Sequence, residues 1–214
     1  MGDNQKRKNK KENEQIDIKT ILLGESGVGK TSLIKVITGK QFSENITATY
    51  TNYYVEKTFV INNNNYKIKI WDTIGQEKFR TLTKLFYKDS KIVIFVYDKS
   101  SKITYTELLK YWINEVKETI DNNKYVIGIV GNKDDLEDKE DDVDEEEARL
   151  FANNMNAKFK MVSAKNDGTA FETFLKELIN DLIEKYNGKI ERDITSVVLN
   201  KKNHKKFKRK GCCN

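Results

Sequence analysis

Proline is absent from all 214 residues, where a frequency of about 5% would place roughly ten. The surrounding wording is rich in Asn and Lys, with Asn62 to Asn65 an unbroken run, so the absence reads as compositional bias and excludes no chemistry. Histidine occurs once, as His204, inside a lysine run near the end of the chain. That excludes a Ser-His-Asp or Cys-His site in the folded part, and a zinc site built from Cys and His. The two cysteines, Cys212 and Cys213, are adjacent and almost terminal. No disulfide can staple the domain, and a reducing cytosol is the expected compartment. No apolar run approaches the roughly 18 residues of a membrane span. The charged stretch Asp3 to Lys19 carries no signal-peptide pattern, and Lys6 stands where a myristoylation pattern requires Ser or Thr.

What is present is enough for a core. Hydrophobic residues make up 37% and aromatics 10%, which places the chain among globular proteins, one domain with tails. The net charge of +6 suggests an anionic partner, nucleic acid or membrane. Its distribution narrows the choice. Residues 1–11 hold Lys6, Arg7, Lys8, Lys10 and Lys11 against Asp3, giving +4, and residues 200–214 hold seven bases and no acid. Residues 12–199 therefore carry −5 of the total. The basic character lives in the ends, and no basic patch interleaved with aromatics lies within the fold, so a nucleic-acid partner is not expected.

Strand and helix alternate along the chain. Ile16 to Gly24 is a strand entering a Gly-rich turn, and Thr31 to Thr38 a helix. Tyr53 to Ile61 and Tyr66 to Trp71 form a hairpin around Asn62 to Asn65. A helical segment is expected near 77–88. Lys91 to Tyr97 and Tyr125 to Val130 are strands covered on both faces. Helices follow at 104–120, at 145–154 with Asp144 as cap, and at 171–186, with a strand at 158–162. This order implies an α/β fold: about six strands, mostly parallel with one antiparallel edge strand, and helices on both faces. The expected organisation is a basic arm over 1–15, a folded domain over 16–186 and a polybasic tail over 187–214.

Gly24-Glu25-Ser26-Gly27-Val28-Gly29-Lys30-Thr31 matches the phosphate-loop pattern, between a strand and a helix that opens through Thr31 and Ser32. Glycines let backbone N–H groups turn inward around phosphate oxygens, the helix dipole favours anions, Lys30 reaches the β- and γ-phosphates, and the Thr31 hydroxyl suits Mg²⁺. Asp72, at a strand end, is placed to hold Mg²⁺ through water. Gly75 offers a backbone N–H to the γ-phosphate, and Gln76 an amide to orient attacking water. Asn132-Lys133-Asp134-Asp135 selects the base. A carboxylate accepts from the paired N1–H and exocyclic amine of guanine, which adenine lacks, so Asp135 chooses guanine. Asn132 ties the segment to the phosphate loop, the Lys133 stem covers one face of the base, and Ser163, Ala164 and Lys165 approach from the other side.

At these residues the chain resembles a small GTPase of the Ras superfamily, over about 16–186. The resemblance implies a GTP/GDP switch that hydrolyses GTP slowly and needs Mg²⁺, an exchange factor, a GTPase-activating protein and effectors. It also assigns Thr49, nineteen residues after Lys30, to Mg²⁺ and the γ-phosphate, and Phe42 to packing on guanine. The chain is most similar to the Rab branch: Trp71-Asp72-Thr73, Gly75 to Thr83 and Val96-Tyr97-Asp98 resemble Rab motifs. Tyr54, Trp71 and Phe86 fall at the aromatic positions that Rab effectors read. Cys212 and Cys213 resemble a doubly prenylated Rab terminus, which implies prenylation machinery, a dissociation inhibitor, and a monomer cycling between cytosol and the cytoplasmic face of endomembranes in vesicle trafficking. Two positions depart from the family. Tyr50 to Tyr54 replaces the usual Rab switch wording, and Ile74 stands where Ala is usual. Ile74 suggests slow hydrolysis or altered exchange, and with it the alternative of a GTP-binding scaffold that barely hydrolyses.

Overall fold

The strand β4 (Ile92–Asp98) is the element the sequence dictates most firmly. All seven of its residues are buried, and a strand with no solvent face belongs in the middle of a sheet. In the computed structural model it lies between β1 (Gln15–Leu23) and β5 (Val126–Asn132), parallel to both. The structure describes residues 15–39, 53–73, 87–120, 124–140, 142–166 and 168–186. Among these, β2 (Tyr53–Ile61), β3 (Asn64–Asp72) and β6 (Lys158–Val162) complete a six-stranded sheet ordered β2-β3-β1-β4-β5-β6. Only β2 runs antiparallel, pairing with β3, as an edge strand. The expected architecture is the observed one.

The two faces follow from the period-2 alternation of side chains. Ile16, Ile18 and Leu22 of β1 and Ile92, Ile94 and Val96 of β4 join one core, under α1 (Lys30–Ile37) and α5 (Gly168–Lys185). Ile21 and Leu23, with Val93, Phe95 and Tyr97, join the other. That second core is covered by α2 (Lys102–Glu107), a π-helical turn (Leu108–Trp112), α3 (Ile113–Thr119) and α4 (Glu145–Asn154). The π-turn divides what the sequence presents as one helix over 104–120. The α4 cap is as expected: the Glu147 N–H donates to Asp144 Oδ1 at 2.7 Å.

The hairpin turn is shorter than the Asn run suggests. Asn62 (φ 49°) and Asn63 (φ 62°) alone make it, while Asn64 and Asn65 enter β3 opposite Ile61 and Val60. Two consecutive left-handed residues give the turn whose twist matches the strands, and Asn is among the few side chains that tolerate it. The expected helix near 77–88 lies outside the described residues apart from its last positions. At the other end of the fold, Lys185 Nζ donates to the Tyr125 carbonyl at 2.6 Å and the Tyr186 hydroxyl to the Lys124 carbonyl at 2.7 Å. The last helix thus finishes beside the entry to β5, at the opposite end of the sheet from the β-strand C-termini.

Candidate nucleotide site at the carboxyl edge of the sheet

Sequential strands lie on one side of β1 and later ones on the other, so the order reverses between β1 and β4. Crevices at such reversals are where open α/β sheets take ligands. The loop leaving β1 there is Gly24 to Thr31. Two of its glycines are obligatory for a geometric reason. Gly24 (φ 149°) passes so close to β4 that a Cβ would lie 2.1 Å from the Val96 carbonyl oxygen. Gly29 (φ 96°) passes Asn132, where a Cβ would meet the amide nitrogen at 2.2 Å. Val28 between them is fully buried and anchors the loop from below, while Ser26 and Gly27 face solvent.

Lys30 is buried, and its Nζ donates to the Gly24 and Glu25 carbonyls at 2.8 Å each. Those bonds hold the amine inside the loop. The Thr31 hydroxyl donates to Asp72 Oδ2 at 2.7 Å, joining the start of α1 to the end of β3. Ser32 is buried beneath Gly29. The Thr73 hydroxyl donates to the Leu22 carbonyl, which fixes the chain just past Asp72 against β1.

Asn132 is 1% exposed and acts as a staple. Its Nδ2 donates to the Val28 carbonyl at 2.8 Å, and its Oδ1 accepts from the Ala164 N–H at 3.1 Å. Three loops, after β1, β5 and β6, therefore meet on one amide. The Ser163 hydroxyl donates to Asp135 Oδ1 at 2.5 Å and accepts from the Lys165 and Asn166 amides, so the Asp135 carboxylate is oriented from the β6 loop. Lys133, in a left-handed conformation (φ 67°), pairs with Asp98 Oδ2 at 2.5 Å. On the hairpin, Tyr54 and Trp71 are cross-strand partners with ring centroids 4.9 Å apart, and Tyr54 is exposed.

The structure thus brings together Glu25 through Ser32, Asp72, Asn132, Lys133, Asp135 and Ser163 through Lys165. Phe42, Thr49, Ile74, Gly75, Gln76, Phe86, Cys212 and Cys213 lie outside the described residues. Sequence reasoning missed two participants. Asp98 holds Lys133, and Trp112 donates from Nε1 to Glu25 Oε1 at 2.8 Å. No sequence pattern pairs residues 87 positions apart; for Asp98 the signal is its place in the Val96-Tyr97-Asp98 motif at the end of a buried strand.

The family model described as "Ras family" matches residues 19–184. The chain belongs to the Ras family. It is 39% identical over 165 residues to the Ras-related protein Rab-18-B of Danio rerio, covering 76% of this chain and 79% of the relative. It is 37% identical over 160 residues to human Ras-related protein Rab-22A, covering 75% and 81%. Against Ras-related protein Rab-26 of Drosophila melanogaster it is 37% identical over 151 residues, 70% of this chain and 38% of that longer protein. It is a Rab-like small GTPase, binding guanine nucleotide and acting with regulators and effectors.

Burial in the loop pushes the Lys30 amine down from 10.5 to about 8, against the pull of Asp72 and Glu25. Between those values the unfolded chain keeps a proton that the folded one has lost, so the stability of the nucleotide-free protein rises with pH across that window. Phosphate oxygens favour the charged amine. With Lys30 on the phosphates, as proposed below, GDP binding takes up a proton above about pH 8 and weakens as pH rises further. Calorimetry at pH 8.5 in two buffers of different ionisation heat should give different apparent enthalpies; equal ones would contradict this account of Lys30.

Proposed function

We propose that the chain is a GTP-operated switch that recruits effectors to membranes in vesicle trafficking, on the cytoplasmic face of endomembranes. The observation that carries it is the convergence of the Lys30 loop, the Thr31–Asp72 pair and the Ser163–Asp135 pair around one Asn132 amide. Each answers a different part of one ligand: polyphosphate, its cation and a guanine base. Gly24 to Ser32 cradle the phosphates, Asp135 reads the base edge, and Lys133, Ser163, Ala164 and Lys165 enclose the ring. We assign Phe42 to the base, and Thr49 and Gly75 to the γ-phosphate.

The donor set fits Mg²⁺. Thr31 Oγ1 and Asp72 Oδ2 are hard oxygens 2.7 Å apart, and Mg²⁺ is commonly held by one or two protein oxygens with waters and substrate phosphates. Thr31, Asp72 and Thr49 would hold it, and it would neutralise charge building on the β- and γ-phosphate oxygens. Lys30 stabilises that charge from the loop, and Gln76 orients the water. Among the described residues no histidine lies near the site, so positioning and electrostatics carry the reaction. An activating protein supplying an arginine in trans accounts for fast turnover.

The tail, residues 187–214, follows a helix that ends at the opposite end of the sheet from this site. Among the described residues no helix is long and apolar enough to cross a membrane. One lipid chain binds a bilayer marginally, and two chains, or one with a basic patch, bind stably. Cys212 and Cys213 offer two thioether positions for prenylation machinery, and the bases from Lys201 to Lys210 add about 1 kcal/mol each at an anionic surface. Exposed Tyr54 and half-buried Trp71, with Phe86, form the effector surface. The test is a tagged full-length chain beside its Cys212→Ser/Cys213→Ser variant in a eukaryotic cell. The parent partitions to endomembranes and the variant to cytosol; a variant that stays on membranes overturns the lipid anchor.

A further inference from the structure

The helix covering the second core is α-helical on both sides of a single π-turn, Leu108–Trp112. A π-turn inserts one residue into the helical repeat and weakens local hydrogen bonding, so it persists where it re-aims a side chain that something else needs. The residue at its end is Trp112, which is fully buried. Its indole packs edge-on against Tyr111, with centroids 5.2 Å apart, and its N–H donates to the Glu25 carboxylate at 2.8 Å.

Glu25 is a demanding residue to keep in a phosphate loop. Its main-chain carbonyl receives the Lys30 amine at 2.8 Å, so the backbone is useful there, but its side chain puts a negative charge beside a site for a polyanion. An indole N–H is a donor without charge or acceptor capacity. It fixes a carboxylate in one place without competing for phosphate and without neutralising Lys30. Tyrosine or serine there could turn its oxygen toward another donor; the indole cannot.

We infer that Trp112 is a positioning residue of the phosphate loop. The π-turn presents its N–H so that the Glu25 carboxylate is held toward the helix layer, away from the phosphates, and the Glu25 carbonyl stays where Lys30 docks. The inference rests on reading Gly24 to Thr31 as the nucleotide site. Without the bond the carboxylate loses the contact that directs it toward the helix layer and comes closer to bound phosphate, and nucleotide leaves faster.

The test is the GDP dissociation rate of four full-length chains: the parent, Trp112→Phe, Glu25→Gln and the double variant. Loss of a hydrogen bond to a charged group predicts about tenfold faster release in Trp112→Phe. If the fault is the freed charge, Glu25→Gln slows release more in the Trp112→Phe background than in the parent, by a factor approaching that tenfold. An equal effect of Glu25→Gln in both backgrounds means that Trp112 is only core filling, and overturns the inference. A parent chain that binds no GDP removes the nucleotide reading itself, which is a different failure. Should Trp112→Phe not fold, the Trp71→Phe chain leaves Trp112 as its one tryptophan, excited selectively over tyrosine. Its emission then shifts on GDP release, and Glu25→Ala abolishes the shift; no shift in the Trp71→Phe chain overturns the inference.

Discussion

Asp135→Asn should lower GTP and GDP affinity by about 10⁴-fold while leaving the fold intact, and should let the xanthine nucleotides bind in their place. A site that hydrogen-bonds a specific donor pair rejects a mismatched ligand by about 10⁴ or more, because buried polar groups are left unpaired. In the proposed reading the carboxylate accepts from both guanine donors. An amide turns one of those contacts into a donor facing a donor. Xanthine carries a carbonyl where guanine carries the amine, so the amide again meets an acceptor. The Ser163 hydroxyl, which donates to Asp135 Oδ1, has an oxygen to bond in the variant too, so the loop keeps its shape. Competition binding with the two nucleotide series checks this. A variant that keeps its preference for guanine would move base selection away from Asp135.

Gln76→Leu should slow hydrolysis of bound GTP by about 10²-fold, the loss expected when a reactant is no longer oriented, with nucleotide affinity little changed. The effect is confined to the chemical step because, among the described residues, none is assigned to place the water. Lys30 donates to the loop carbonyls, and Asp72 accepts from Thr31. In cells the variant should accumulate GTP. An unchanged ratio of GTP to GDP would remove Gln76 from the role given to it. The Ile74 neighbour bears on the same step: if its β-branch crowds the second switch, Ile74→Ala speeds hydrolysis or exchange.

Much of this was legible in the sequence because the chemistry is local. Gly24 to Thr31 is one contiguous loop whose glycines are set by contacts to Val96 and Asn132, and its flanking strand and helix are visible as apolar periodicity. The uniformly apolar Ile92 to Val96 run declares a central strand, and with it the parallel sheet that aligns the loops of β1, β3, β5 and β6 at one edge. What stayed hidden depends on long-range packing. Nothing in Leu108-Leu109-Lys110-Tyr111-Trp112 separates a π-turn from an α-helix, since both need the same apolar stripe. The Trp112–Glu25 bond exists only once the helix is docked on the sheet. The Asn run is ambiguous for a related reason. Asn is equally at home in a turn and at a strand end, and the pairing of Asn64 and Asn65 with β2 decides which two residues turn.

The net charge of +6 taken alone suggests an anionic partner, nucleic acid or membrane. The family match over 19–184 and the nucleotide-shaped site give the folded part another purpose, and in the proposed reading the basic tail meets a charged lipid surface. The central claim is that this acidic domain is a slow GTP clock. Single-turnover hydrolysis of GTP bound to the purified full-length chain tests it most directly. The account predicts conversion to GDP and phosphate at about 10⁻⁴ to 10⁻³ s⁻¹, the range of an unassisted switch of this kind, and much slower conversion in Gln76→Leu. GTP that stays intact on the parent chain, or decays equally fast on both, would contradict it.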